Sequence, residues 1–398
     1  MGNLDLAQRT ATIGWSDMAK FLVIHPNLDI YGGGERVCHH ILKALVDNDQ
    51  QVELLAFDFD EEQYQKIIGE ALPRGISVHT LGRRDIVEAD PPLSMYKRRK
   101  KIVKLLKKYK TNTTYDYTFS TQTLSAFEVE LFKKAKNNIA YIHFPEIPDY
   151  YAHYKITKKM YWWLYKTQLE RHINQLGLVF CNSNYTKDTI EKYWNKLGIV
   201  EPIVTYPPVE KSFWSEKPLT QRVHRVVYTA RFVPQKRHEI LKQLAAEFPQ
   251  LQFISIGLLR DTEQAWFEAF SKDLPANYTL KPNLSKKELT TILENSTIYC
   301  HLMEGEHFGI APMEAMASGC ITLAHNSGGS GEFIPQEYRW NTIDDLREKI
   351  AKLAGSQNDA FFDKQKETLQ KKIEILKPQN FEAQIWTNTA SFVAKNKT

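Results

Sequence analysis

The chain has 398 residues, 42% hydrophobic and 25% charged, which is ordinary globular material at a length where one core usually gives way to two domains. A formal charge of +5 is too mild to imply nucleic acid as a partner, and four widely spaced cysteines (Cys38, Cys181, Cys300, Cys320) without a CxxC pair argue against a zinc site or a disulfide framework. No apolar run is long enough to span a membrane and the N-terminus lacks a signal-peptide pattern, so the expectation is a cytoplasmic protein whose membrane contact is at most peripheral.

In chain order, short β-branched runs alternate with amphipathic segments of helix length. "FLVIHP" leads through a glycine turn to a helix from Glu35; "QVELLAFDF", "YDYTFST" and "NIAYIHF" follow, then a long helix to about Gly177, "LVFCNS", another helix and "PIVTYPPV". This alternation reads as a parallel sheet with helices on both faces. The segment "PPVEKSFWSEKP" reads as a linker, after which the grammar restarts with "HRVVYTA", a helix from about Gln235, "LQFISIG", "STIYCHL" and "ITLAHNS". The expected domains are 1–210 and 211–379, with a closing amphipathic helix at about 380–398 placed to pack back on the first.

Several strand ends carry chemistry. In "HPNLDIYGGGERV" three glycines separate a strand from a helix, an arrangement that lets backbone amides approach a phosphate, although the spacing is not GxGxxG. Asp58 and Asp60 of "FDFD" offer a metal-binding DxD, but a solvated helix start favoured by the dipole explains them better. His143 ends the strand of "NIAYIHFPEIP", and Arg231 and Lys236 flank the turn after "YTA", where ligands of open α/β sheets bind. In "GEHFGIAPMEAMASGC" Pro312 suits the first helical position, which makes 305–310 loop and puts Glu314 in the first turn. Ala311 then has no side-chain oxygen with which to build a capping box, so neither Glu306 nor Glu314 is explained by capping.

Glu306-x7-Glu314 within "EGEHFGIAPMEAMASGCITLAHNSGG", supported by "GGGERV", His143, Arg231 and Lys236, resembles the retaining glycosyltransferases of family 4. The wording "EHFGIAPMEAMASG" with "LAHNSGG" and "TYPPV" is similar to the α-1,2-mannosyltransferases that extend dolichol-linked oligosaccharides on the cytosolic membrane face. The resemblance implies an α/β fold of the GT-B type, two Rossmann-like doubly wound domains facing a central cleft. It implies a nucleotide sugar as substrate, GDP-mannose in the narrower match, and metal-independent transfer without a cofactor. A soluble UDP-glucose-dependent glucan or disaccharide synthase is the alternative enzyme, and a non-catalytic nucleotide-sugar binder the remote one.

Carried to this chain, the resemblance puts Glu306 beside the transferred sugar, Glu314 on the donor ribose, and the amides of Phe308, Gly309 and Ile310 on sugar and phosphate. Arg231 and Lys236 would neutralise the diphosphate, Gly33 and Gly34 would admit it closely, and His143 would touch the sugar from the acceptor side. Separately, "SMYKRRKKIVKLLKKYK" carries nine basic and no acidic side chains with apolar residues at helical spacing. Lys97, Arg98, Arg99, Lys100, Lys101 and Lys104 are therefore the expected contacts to an anionic membrane surface. Trp162 and Trp163 in "KKMYWWLYKTQLERH" widen an apolar stripe of Tyr161, Tyr165, Leu169 and Ile173 that reads better as core.

Overall fold

The computed structural model describes residues 18–28, 32–83, 113–122, 135–145, 173–355 and 359–396, with single positions 104, 147, 159, 163, 166, 167, 169 and 170. The chain forms two compact units, one of Met1–Asn182, Thr186–Thr205 and Phe381–Thr398, the other of Ser183–Tyr185 and Tyr206–Asn380.

The first unit is built on seven parallel strands: β1 (Lys20–Ile24), β2 (Gln51–Ala56), β3 (Ser77–Thr80), β4 (Tyr115–Ser120), β5 (Ala135–Ile142), β6 (Leu176–Cys181) and β7 (Ile203–Val204). Their order is β3-β2-β1-β4-β5-β6-β7. Phe21, Leu22, Val23 and Ile24 of the central β1 are fully buried, as expected of a parallel strand covered on both faces. Described helices α1 (Gly33–Val46), α2 (Glu61–Ile68) and α3 (Asn184–Trp194) accompany the strands. Asp60 caps α2 by accepting the Gln63 N–H at 3.0 Å, so one carboxylate of the DxD is occupied with a helix start. The long helix expected to reach Gly177 gives way earlier, because Leu176 already opens β6. Leu169 and Ile173 are buried while Trp163 is 63% exposed, so the tryptophan is not core; Tyr161, Trp162 and Tyr165 lie outside the described residues.

The second unit repeats the plan with β8 (Val223–Thr229), β9 (Gln252–Gly257), β10 (Tyr278–Pro282), β11 (Ser296–His301), β12 (Ile321–His325) and β13 (Arg339–Trp340). These parallel strands run in the order β10-β9-β8-β11-β12-β13. Its helices are α4 (His238–Glu247), α5 (Gln264–Phe270), α6 (Lys286–Glu294), α7 (Ile310–Ala317), α8 (Ile343–Gly355) and α9 (Asp359–Lys372). The helix expected from about Gln235 is a 3-10 turn over Pro234–Lys236, and α4 starts only after Arg237, whose φ of 58° breaks the run. Val209 and Phe213, in the segment read as linker, are buried in this unit's core, and the Val209 N–H donates to Leu376 O at 2.7 Å. Arg222 and Lys366 are buried, have no carboxylate in hydrogen-bond contact among the described residues, and donate to main-chain carbonyls. Arg222 reaches Ser318 O at 2.6 Å, and Lys366 reaches Lys217 O at 3.0 Å.

The last helix, α10 (Pro378–Asn396), sends Phe381, Ile385 and Val393 into the core of the first unit. Phe392 fits there because residue 177 is glycine: a Cβ at that position would lie 2.4 Å from its ring. Glu382 completes the docking by accepting from His40 Nδ1 at 2.8 Å.

In both sheets the strand order reverses beside the first strand, between β1 and β4 and between β8 and β11. Crossovers leave in opposite directions there, which opens a crevice at the carboxyl ends of the strands. The exit of β9 approaches β8 so closely that a Cβ on Gly257 would lie 1.7 Å from Ala230 O. Gly257→Ala should therefore destabilise the second unit by about 1–3 kcal/mol, whereas Gly355→Ala, with open space around it, should be near neutral. Denaturant melts of the two variants check the contrast.

Candidate active site

The sequence-selected residues fall into two groups, one in each unit. In the first, His25 follows β1 and Thr121 follows β4, and His25 Nδ1 lies 2.9 Å from Thr121 Oγ1. His25 Nε2 faces Glu35 Oε1 at 3.4 Å, while Glu35 Oε2 accepts the Gly32 N–H. The carboxylate thus folds back to cap its own helix, and α1 begins at Gly33, two residues before the expected start at Glu35. Burial by itself would lower the His25 pKa, but the Cys38 sulfur and the Glu35 carboxylate outweigh it and push the value up to about 10. Glu35 is buried too, and His25 with the Gly32 amide holds its pKa below the usual carboxylate value. Gly33 and Gly34 are the first two residues of the helix. A Cβ on Gly34 would touch the His143 ring, 3.5 Å from Nε2. His143 is half-buried just beyond β5, and its Nε2 donates to Thr121 O at 3.0 Å.

In the second unit the turn after β8 carries three cations. Arg231 is exposed and its carbonyl receives His238 Nε2 at 3.0 Å. Arg237 is occupied by an ion pair with Glu304. Lys236 is half-buried and its carbonyl receives the Tyr228 hydroxyl at 2.7 Å. Among the described residues Lys236 has no carboxylate partner, yet its charge reaches both Glu306 and His307.

The loop leaving β11 is pinned to the loop leaving β12. The Gly305 N–H donates to Ser327 Oγ at 2.8 Å, Glu306 bridges to Gly328, and the Gly329 N–H donates to Glu306 O at 2.7 Å. Phe308 is buried against Tyr206 and Phe333, with ring centroids 6.0 and 5.9 Å away. The cap of α7 is Gly309 at φ 86°, with no side-chain hydrogen bond, and the helix begins at Ile310. It therefore starts earlier than expected from Pro312, which is tolerated as the third residue because first-turn amides lack intrahelical acceptors. Glu314 consequently sits beyond the first turn, and it is 5% exposed. Among the described residues, the N–H groups of Phe308, Gly309, Ile310 and Ala311 find no acceptor, so this helix start is a ready set of donors for an anion or a hydroxyl.

Glu306 Oε2 lies 3.1 Å from His301 Nε2, and its side chain is 23% exposed. Burial would raise the Glu306 pKa, but the His301 hydrogen bond and the electrostatic pull of His301, Lys236 and His307 lower it to about 2. The arrangement can therefore present a permanent carboxylate, a free cation and aligned amides at the ends of β8 and β11. His25, Glu35 and His301 were not singled out from the sequence as site residues; their signal is a histidine ending a buried strand with a glutamate five or ten residues on. Lys97, Arg98, Arg99, Lys100 and Lys101 lie outside the described residues, and Lys104 is helical and exposed. No described helix is long and apolar enough to cross a membrane.

The Glycosyltransferase Family 4 domain model matches residues 31–209, and the model of Glycosyl transferases group 1 matches residues 211–373. The chain belongs to the glycosyltransferases. Its fold is GT-B, similar to sucrose-phosphate synthase from Thermosynechococcus elongatus (TM-score 0.74, 15% identity, covering 95% of this chain and 100% of that one). Anabaena HepE in complex with UDP and glucose is also similar (TM-score 0.68, 16% identity, 94% and 100% coverage). A relative from Mus musculus, "GDP-Man:Man(3)GlcNAc(2)-PP-Dol alpha-1,2-mannosyltransferase", is 34% identical over 171 residues, covering 38% of this chain and 34% of the relative. The matched region thus spans about a third of that relative's length.

His25 has a folded pKa of about 10 against an ordinary 6.5, so its contribution to stability is complete below the ordinary value and is lost as pH rises through the folded one. The stability margin of the wild type over His25→Asn, read by denaturant titration, should be widest near about pH 6 and narrow towards about pH 10. A constant margin would rule out the ion pair.

Proposed function

We propose that this glycosyltransferase moves a mannosyl group, with retained configuration, from GDP-mannose to a lipid-linked oligosaccharide at the cytoplasmic face of a membrane. The carrying observation is the 34% identity to an enzyme whose name specifies that donor and that acceptor class. The site chemistry supports the same reading. Departure of GDP builds negative charge on the diphosphate and positive character on the sugar carbon, and preorganised charges stabilise such a transition state most. Lys236 and Arg231 supply cations, the amides of Phe308, Gly309 and Ile310 supply donors, and Glu306 supplies an anion beside the sugar. Glu314 takes the ribose hydroxyls. Gly33 and Gly34 admit the diphosphate, and His143 meets the sugar from the acceptor side. No metal or other cofactor enters this reading.

Membrane contact is peripheral in this reading, through the basic run that includes Lys97, Arg98, Arg99, Lys100, Lys101 and Lys104. The exposed Trp163, with Lys159 and Lys166 exposed on neighbouring helical positions, supports it. Anionic liposomes should float the protein at low salt and release it at high salt.

A thermal-shift panel with GDP-mannose, GDP, UDP-glucose and UDP, with and without EDTA, tests the donor. Selective stabilisation by GDP-mannose that survives EDTA is expected; selective stabilisation by UDP-glucose would favour the glucan or disaccharide synthase reading. Lys236→Ala and Glu306→Gln should each lower kcat by about 100-fold or more while leaving the melting temperature close to wild type. Unchanged turnover in both would remove the site assignment.

A further inference from the structure

Glu306 is fixed at two levels. Its main chain bridges to Gly328, and its carbonyl accepts the Gly329 N–H at 2.7 Å, which places the Cα but not the carboxylate. Among the described residues the carboxylate has one hydrogen-bond partner: Oε2 lies 3.1 Å from His301 Nε2, and Oε1 accepts nothing. His301 ends β11 and is 4% exposed. Its ring lies nearly parallel to Tyr299, centroids 6.5 Å apart, and edge-on to Tyr228 at 6.3 Å. Its Nδ1 is buried without a partner among the described residues.

These contacts decide where the proton sits. An ionised carboxylate only accepts, so Nε2 must carry a hydrogen to bond Oε2. A tautomer with its only proton on Nδ1 would lose that bond and bury an N–H with no acceptor, which is the costlier arrangement. The packed tyrosines hold the ring plane, so the donated hydrogen has a fixed direction.

We propose that His301 is a positioning residue for sugar transfer: its Nε2–H holds Oε2 of Glu306 so that Oε1 is presented to the transferred sugar. The inference rests on the reading of Glu306 as the carboxylate beside that sugar. His301 acts through Glu306 and touches no substrate. The other groups facing the pair are Lys236 from the turn after β8, His307 from the same loop, Tyr228 from β8 and Tyr299 from β11. Burial keeps both phenols protonated, and Lys236 favours the ionised carboxylate. Removing the His301 donor therefore lets burial push the Glu306 proton affinity upward.

The test compares wild type, His301→Ala, His301→Gln and Glu306→Gln in GDP-mannose turnover across pH. It is joined to nitrogen-15 spectra of histidine-labelled wild type without substrate. His301→Ala should lower kcat about 10- to 100-fold with KM little changed, and should move the acid limb of the kcat profile to higher pH. His301→Gln, which restores an N–H donor, should recover most of that loss, and the spectrum should show His301 protonated on Nε2. Wild-type kcat and pH profile in His301→Ala, beside a collapse in Glu306→Gln, would overturn the positioning role while leaving the site reading intact. Full turnover in Glu306→Gln would overturn both. An Nδ1–H tautomer in the wild type would overturn the inference whatever the donor proves to be, and it decides the matter even if neither histidine variant folds.

Discussion

Two carbonyl oxygens constrain the second unit's site. Glu306 O lies 2.2 Å from where a Cβ on residue 328 would sit, and His307 O lies 2.1 Å from the same point on residue 329. The loops leaving β11 and β12 therefore meet main chain to main chain, and only glycine permits that approach. Once they meet, the backbone from Gly305 to Gly309 has few other paths, Phe308 is driven into its aromatic packing, and α7 begins with its amides unfilled. Lys236, arriving from the neighbouring strand β8, then finds a carboxylate close enough to feel but not to pair with. Backbone geometry thus sets where the Glu306 Cα stands, and the side-chain hydrogen bond from His301 sets the carboxylate.

The two units use the same device to different ends. Each sets a histidine after or at the end of a buried strand and a glutamate on the following segment. In the first unit the pair is sealed, with side chains 1% and 6% exposed, and both oxygens of Glu35 are committed, one to His25 and one to the glycine turn. That pair shapes backbone. In the second unit the histidine is also buried, but the glutamate is 23% exposed and, among the described residues, keeps an oxygen uncommitted. A carboxylate with both oxygens engaged is architecture, whereas one with an oxygen to spare is available to a ligand.

How far these features could be read from sequence depended on burial. The central strands β1, β4, β5, β8, β9, β11 and β12 are apolar runs bounded by turn residues, and they announce themselves. The edge strands β3, β10 and β13 do not: "SVHT" has no buried residue, "YTLKP" has one, and "RW" is two residues long. Helix starts misled for a specific reason. A proline or a glutamate is compatible with several first-turn positions, so Pro312 and Glu35 each marked a helix start without fixing its register. The carboxylates at 306 and 314 stood out because no capping role fitted them. The histidine partner of Glu306 did not, because a histidine ending "STIYCH" looks like any residue of a buried strand until its distance to Glu306 is known.

The path of the chain has its own consequence. Apart from Ser183–Tyr185, the second unit is one excursion of the chain, which leaves the first unit after Thr205 and returns at Phe381. Breaking the chain at either point alone leaves the halves connected through the other. A cut before Phe381 would take from the first unit a helix that fills the space left by Gly177 and carries the partner of His40. The second unit can thus be exchanged between relatives as an insert, but the first can be transplanted only in two pieces, whose helix must find its groove again.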